Sequence, residues 1–597
     1  MKLKKLLAML LAVVSCFTFT ACGDPGDQGG GGDHDPAKTV NVLISKGGYG
    51  DGYIKDVATA FNTLYANQGY YVNVEKPRDG FGTAAALAEM RLPASTTGLD
   101  LVFPGSVFIH DVLNAEYGRC VEEITDVWQS TTINFDGTYG DVIADVYKNG
   151  DTIHDISIED ETGLHVYGFP LTTSVRGIVT NRRVLEHYTG IDLDTEYPRT
   201  TDEFVDLVQA LYAECMDDGV YPIAYGGENA ATYAWHTYLT AERQILGKED
   251  HFELKNGYKT YQLNNNTIPG NVEERIEKSY YRQPVIEWTV FFWDQMLAAP
   301  GSDSTTHDVA HGNLAMGNAV FMGNGEYFYN EVQNDYREFL EDLEMMHDPM
   351  HSFVGLKYNL CGAGHDVLTN TKAYDAHCED CDEILSAFCY IWDGYAKSLG
   401  GKTTNATKKN DVIAEVAAET GTTLTSAQYD ALADARGYVY GGYTPMYLMK
   451  DCGTQTIEIA KLFLRMLASE DAANIRTQYG MLHPYYDNEI AANTPTFIRN
   501  CMELERLSTD RATGNGYTRW KAPAYNDIGY GTYTATMGVQ MHGIIPIEPS
   551  GDALDRDYAQ IAKMVLESEQ CNVHIRNNYE RSINVPSDVY IPEEYRI

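Results

Sequence analysis

Positive charge is scarce in this chain. Its 597 residues carry 44 Lys and Arg against 85 Asp and Glu, a formal net charge of −41. A surface of that sign repels phosphate backbones and anionic headgroups, which argues against nucleic acid as a partner. Long apolar runs are missing as well. Beyond the N-terminal leader no stretch approaches the roughly 20 apolar residues of a membrane-crossing helix, so the remainder is expected to be soluble. Catalytic signatures are also absent: there is no G-x-S-x-G, no H-E-x-x-H, no P-loop of the form G-x-x-x-x-G-K-[S/T], and no G-x-G-x-x-G after a strand. Acids are so numerous that carboxylate pairs arise by chance, so an extracellular glycan-cleaving enzyme stays open as a minor alternative. The eleven cysteines include Cys16 and Cys22 near the N-terminus. The odd number left after those two excludes a disulfide framework that pairs every cysteine. Many free thiols on an exported protein suggest a reducing or anaerobic habitat.

The N-terminus supplies the expectation of export. Lys2, Lys4 and Lys5 precede an apolar run, Leu6–Val14, too short to span a bilayer stably. Phe19-Thr20-Ala21-Cys22 follows and resembles the lipobox of bacterial lipoproteins, which implies cleavage before Cys22 and lipid attachment to it. The Gly/Asp/Pro-rich run from Gly23 to Lys38 cannot bury apolar surface and reads as a flexible tether. What remains is too long for one core and suits two large lobes with insertions.

Thr39–Ser45 reads as a strand, Tyr53–Tyr65 as an amphipathic helix, Tyr71–Glu75 as a strand, Thr83–Met90 as a helix and Leu99–Phe103 as a buried strand. Such alternation predicts a parallel, doubly wound sheet, with ligands beyond the carboxyl ends of its strands. Two apolar runs, Leu164–Pro170 and Gly177–Val179, flank the polar bridge Leu171–Arg176, and Asn181 leads into a helix. This rhythm predicts that Pro170–Arg176 is a hinge between two α/β lobes. Thr201 is the expected N-cap of the next helix, Ala319–Met322 a strand, Phe353–Gly364 a possible returning strand, Pro445–Met449 a strand and Gln455–Ala468 an amphipathic helix.

Several of these stretches together resemble the substrate-binding lipoproteins of ABC importers, the extracellular family 1 group that includes maltose-binding protein. The resemblance rests on Leu99–Phe103; on Val166–Leu185, with Asn181 at the family's Asn; on Pro198–Phe204, where Thr201 replaces the usual Trp; on Gly317–Tyr327, with Tyr327 at the usual Trp; and on Gln455–Tyr486. It implies an α/β, two-lobed, type II periplasmic-binding-protein-like fold with a ligand cleft between the lobes. The expected divisions are a signal peptide over 1–21, the lipidated cysteine and linker over 22–38, and lobe 1 over 39–170 with a return segment within about 350–450. Lobe 2 is expected over 171–350, with the return crossing, insertions and closing helices over 351–597. The implied activity is capture of a carbohydrate and its delivery to an ABC permease, by a lipid-anchored monomer on the outer face of the cell membrane. A peptide-binding lipoprotein is the nearer alternative.

Sugars are held by aromatic faces and by planar polar side chains set in an apolar wall. Loop positions expected to face the cleft nominate Tyr49, Asp51, Ser106, Glu228, Asn229, Tyr233, Trp235, Glu326, Tyr327 and Trp520 as ligand contacts. Trp288, Trp293 and Trp392, on apolar helices, are expected in the core. Arg176 either meets a ligand acid or pairs at the hinge, the latter being favoured. No catalytic residue, metal or cofactor is assigned. His377-Cys378-Glu379-Asp380-Cys381, with Cys361 and His365 upstream, has the residue types of a zinc site. No second C-x-x-C or H-x₃-H follows at finger spacing, however, and a lone C-x-x-C reads equally as a disulfide or as two free thiols.

Overall fold

The structure is a computed structural model that describes residues 34–45, 50–75, 83–104, 112, 120–146, 156–160, 162–173, 175–193, 196–227, 240–245, 247, 282–292, 294, 297–333, 335–365, 378–399, 406–437, 443–482, 494–507, 558 and 560. Cys16, Cys22, the tether up to Asp33, and Trp293 lie outside the described residues.

Three β-branched or apolar runs begin the first sheet: β1 (Thr39–Ile44), β2 (Tyr71–Val74) and β3 (Leu101–Phe103). Two short hairpins follow, β4 (Thr131–Ile133) with β5 (Tyr139–Val142), and β6 (Ser157–Asp160) with β7 (Gly163–Val166). Then come β8 (Gly168–Thr173) and β9 (Arg176–Asn181), β10 (Tyr221–Ile223), β11 (Ala319–Gly325), β12 (Leu343–Met346) and β13 (Tyr443–Leu448). They form two separate sheets, of order β2-β1-β3-β13-β8 and β10-β11-β9-β12. The parallel part of each is the strand–helix alternation legible in the sequence, β2 and β3 flanking β1 and β10 beside β11. The strands that carry the chain between the sheets pair antiparallel: β13 with β3 and β8, and β9 with β11 and β12.

Each sheet has its own core. The first is built on Val40, Val42, Ile44, Phe61, Leu101 and Leu448, closed by Ile459, Phe463 and Leu467 from the amphipathic helix Thr454–Leu467. The second surrounds Phe204, which meets Trp288, Phe292 and Phe321 with ring centroids 5.6, 5.6 and 4.9 Å away. Aromatic pairs at these spacings add about 0.5–1.5 kcal/mol each beyond the area they bury. Trp288 and Trp392 are both core residues. The helices Glu379–Leu399, Ala406–Thr420 and Ser426–Arg436 enlarge this second core rather than forming a layer of their own.

The chain passes from the first sheet to the second between Thr173 and Arg176, inside the polar bridge. It returns between Arg436 and Tyr443, where the second core gives way to β13. A third passage falls at Met481 and Leu482, which belong to the first and second cores respectively. Two readings of the sequence need correction here. Phe353–Lys357 is a short helix, not a strand: Asn359 and Gly362 adopt positive φ straight after it and turn the chain back before any extended run can form. Thr200, one residue before the position expected, is the N-cap of helix Thr201–Cys215, and its hydroxyl accepts from the Glu203 amide.

Two polar devices hold the second lobe. Asn181 ends β9 and caps helix Arg182–Thr189, accepting from the Val184 amide at 3.2 Å while its own amide donates to the carbonyls of Leu314 (2.9 Å) and Ala315 (3.4 Å). One side chain thus serves the start of one helix and the end of another. Arg436, fully buried, makes a bidentate pair with Asp393 at 2.9 and 2.6 Å and donates to the Asp348 carbonyl at 2.9 Å. Tyr197 donates to the same carboxylate at 2.5 Å. Burial alone would raise the Asp393 carboxyl; the Arg436 guanidinium outweighs it and holds the group below the usual carboxylate range.

Asn181→Ala should therefore cost about 1–3 kcal/mol in urea unfolding, because it orphans buried backbone groups; a loss below about 0.5 kcal/mol would show that water replaces the amide. Arg436→Met should cost about 3–5 kcal/mol. The double variant Arg436→Met/Asp393→Leu should recover much of that loss, since the isolated charge and not the lost attraction causes it. Additive losses would refute this.

Candidate functional site

Strands β10 and β11 run parallel, so their carboxyl ends lie together, and β9 starts at the same edge because it pairs antiparallel with β11. The chain reaches that edge as it crosses from the first sheet. Polar and aromatic side chains collect there. Gly325 pairs in register with Arg176, and the Arg176 guanidinium carbon stands 5.5 Å from the centre of the Tyr327 ring. Burial pushes the Tyr327 hydroxyl up to about 12, so it remains a neutral donor at any physiological pH.

Glu326 is fully buried and grips the crossing from both sides. Its carboxylate accepts from the Val175 amide at 2.9 Å, and its own amide donates to the Val175 carbonyl at 3.1 Å. The sequence nominates Glu326 for a cleft; the structure turns its side chain into the crossing itself.

Behind this layer lies a second polar group. Asn324 donates its amide to His311 Nε2 at 3.0 Å, which puts the imidazole proton on Nδ1, facing Glu331 at 3.6 Å. The Asn324 amide is oriented by its carbonyl oxygen, which accepts from the Gly325 amide at 2.8 Å. Burial drives His311 down to about 3 and raises Glu331 to about 7, the latter helped by Asp308 and Glu326. At neutral pH the pair is thus a neutral imidazole beside a carboxyl near its midpoint, not an ion pair, despite the short separation. Gly226, just past β10, is required by close approach: a Cβ there would stand 2.7 Å from the His307 amide nitrogen, which cannot give way.

The first lobe presents a matching edge at the carboxyl end of β1. Asp51 precedes helix Gly52–Leu64 and pairs with Lys55 at 2.7 Å, an exposed contact of little energetic weight. Tyr479 lies across the start of that helix, where a Cβ on Gly52 would meet its ring at 2.4 Å, and it donates to Asp56 at 2.8 Å. The next residue, Gly480, has φ of +69° and packs against Asn330 and Ile498 of the second lobe. The third passage therefore delivers an exposed tyrosine to the edge of lobe 1 and touches the cluster on lobe 2 within two residues.

Of the residues nominated from sequence, the structure places Asp51 at the lobe 1 edge and brings Glu326 and Tyr327 together at the lobe 2 edge. Tyr49, Ser106, Glu228, Asn229, Tyr233, Trp235 and Trp520 lie outside the described residues. Tyr479, His311 and Glu331 were not singled out. Tyr479 had a signal, an aromatic directly before Gly480 in the closing segment. His311 had none, being one of 16 histidines on a helix of mixed polarity. In the second lobe, Cys361 and His365 come together with Cys378 and Cys381, joining residues that the sequence spacing left apart.

No family model and no curated protein matches the chain. The structure is similar at low identity to solved structures of solute-binding proteins. A chitin oligosaccharide binding protein is 12% identical over 88% of this chain and 95% of its own, with a TM-score of 0.48. Maltose-bound MalE3 of T. maritima is 12% identical over 89% and 98%, with a TM-score of 0.48. RafE from Streptococcus pneumoniae is 11% identical over 90% and 97%, with a TM-score of 0.45. The two sheets, each with its own core, and the three passages between them make a two-lobed α/β fold.

Proposed function

We propose that the chain is a solute-binding lipoprotein that captures a carbohydrate between its lobes and hands it to an ABC permease. The observation that carries this reading is the triple passage between two independently cored sheets. Passages of this kind can bend while the lobes on either side stay rigid, and the first two lie side by side where Tyr443 pairs with Thr173. The edges that meet at the passages are the carboxyl ends of β1, β10 and β11, where ligands of open α/β sheets collect.

In this reading the work is closure. A ligand touching both edges makes more contacts in the closed form and shifts the population toward it. Turning a 1:99 mixture into 99:1 takes about 10⁴-fold tighter binding to the closed form, about 5.5 kcal/mol. Stacking of a sugar face on Tyr327 from lobe 2 and on Tyr479 from lobe 1 would supply part of that difference. Hydroxyls would be met by Asp51 and by the nominated Tyr49, Ser106, Glu228 and Asn229, with Tyr233, Trp235 and Trp520 as further aromatic walls. Glu326 serves the hinge and is left out of the contact set. No residue is assigned a covalent step. Export by the leader, lipid attachment at Cys22, a monomeric state and residence on the outer face of the cell membrane complete the proposal, and they rest on the sequence of the first residues.

A thermal-shift screen of the mature protein against oligosaccharides and oligopeptides tests the ligand class, followed by small-angle scattering of any hit. A glycan hit with a smaller radius of gyration is expected. Tyr327→Ala should weaken that affinity about tenfold or more, about 1.4 kcal/mol. Stabilisation by peptides alone would replace the carbohydrate with a peptide ligand, and turnover of the glycan would replace binding with catalysis.

A further inference from the structure

The second lobe holds four soft or borderline donors that neither the hinge nor the ligand edges use. Cys361, His365, Cys378 and Cys381 converge so that one ligand atom from each lies within 4.8 Å of every other. The Cys361 sulfur stands 3.8 Å from that of Cys378 and 3.3 Å from His365 Nε2, and the Cys381 sulfur is 3.5 Å from the same nitrogen. A tetrahedral zinc ion with bonds of about 2.3 Å to sulfur and about 2.0–2.1 Å to nitrogen separates its sulfurs by about 3.8 Å and sulfur from nitrogen by about 3.5 Å. The edges match.

We propose that Cys361, His365, Cys378 and Cys381 form a closed, structural Cys₃His zinc site. The backbone is arranged for it. Cys378 and Cys381 sit three residues apart where helix Glu379–Leu399 begins, which places both on one face of its first turn. The other pair comes from a tight loop: Asn359, Gly362 and Gly364 have φ of +48°, +76° and +83°, and the Asn359 side chain accepts from the Gly364 amide at 2.9 Å. These left-handed turns bring His365 back over Cys361 within four residues. The Ala363 amide points at the Cys361 sulfur at 3.5 Å, the kind of donor that stabilises a thiolate.

Charge agrees as well. Three thiolates and Zn²⁺ leave one net negative charge, which the start of a long helix favours. A disulfide between any two of the cysteines would leave the third thiol and His365 converging on nothing. With all four protein ligands present the site is closed to substrate and marks a structural rather than a catalytic metal. Its mechanical role follows from the next residue: Asp382 accepts from Thr200 (2.9 Å) and Ser352 (2.7 Å), so fixing this helix turn fixes the N-cap of helix Thr201–Cys215.

The mature chain, purified with reductant and without chelator, should contain one equivalent of zinc by plasma mass spectrometry. Removal with a thiol-directed mercurial and chelator should lower Tm, and Zn²⁺ but not Mg²⁺ should restore it. Cobalt substitution should give sulfur-to-cobalt charge transfer and the intense visible bands of a tetrahedral thiolate site. Cys381→Ser should lose the equivalent; should that variant fail to fold, His365→Cys should keep the metal and shift the cobalt spectrum. A native chain that is metal-free and gives no tetrahedral cobalt spectrum overturns the proposal. So does peptide mapping that finds a disulfide among these cysteines. None of these readouts depends on a sugar or on lobe closure.

Discussion

The buried clasp between Glu326 and Val175 is the contact on which the arrangement of the two lobes depends. A carboxylate taken wholly out of water costs several kcal/mol unless its oxygens are met by donors. Here the Val175 amide meets it, and the same two residues are bonded again through the Glu326 amide and the Val175 carbonyl. The passage between the lobes is thereby anchored on the side of lobe 2, directly before β9 begins. Arg176 then sits in a fixed register opposite Gly325, with Tyr327 beside it. The crossing and the lobe 2 edge are one construction.

The two lobes are stabilised differently. Lobe 1 is a sheet closed by helices from late in the chain, and apolar burial does most of the work. Lobe 2 is larger and carries more ionic and polar groups: Arg436 with Asp393 at full burial, the neutral, buried His311 beside a partly exposed Glu331, and the buried Cys381 with the half-buried Cys361, His365 and Cys378. Such groups contribute less to net stability than apolar side chains of the same volume would, but each admits few geometries. The helices from Glu379 to Arg436 are tied by them to one seat on the β-sheet core.

Periodicity made the regular elements legible. The strands at Thr39, Tyr71 and Ala319 and the helices Thr83–Met90 and Thr454–Leu467 each announce themselves by spacing, because a single buried face selects their apolar residues. The crossing at Thr173–Arg176 was visible as a polar bridge between apolar runs. Errors arose where local chemistry competes with pattern. Phe353–Leu356 is as apolar as a strand, yet the left-handed residues after it force a single helical turn. Thr200 and Thr201 are chemically equivalent as caps, and long-range partners decide between them: Thr200 pairs with Met350 and bonds Asp382, while Thr201 meets Ser352. Glu326 looked like a cleft residue because it lies between a turn and an aromatic, and sequence gives no hint of a partner at Val175. The four ligands from Cys361 to Cys381 come from a loop and a helix start, and no sequence template holds that spacing.

Strand β13 lies between β3 and β8, in the interior of the first sheet, although it is the last strand among the described residues. The edges of β3 and β8 that it covers are therefore open until residues 443–448 arrive. A chain that emerges from a membrane N-terminus first would hold those edges unpaired throughout its passage. Contacts so distant in sequence also make for slow folding, since a long loop must close before any of them contributes. Both effects expose the nascent first lobe to strand-edge aggregation. A net charge of −41 is one property that keeps such intermediates apart.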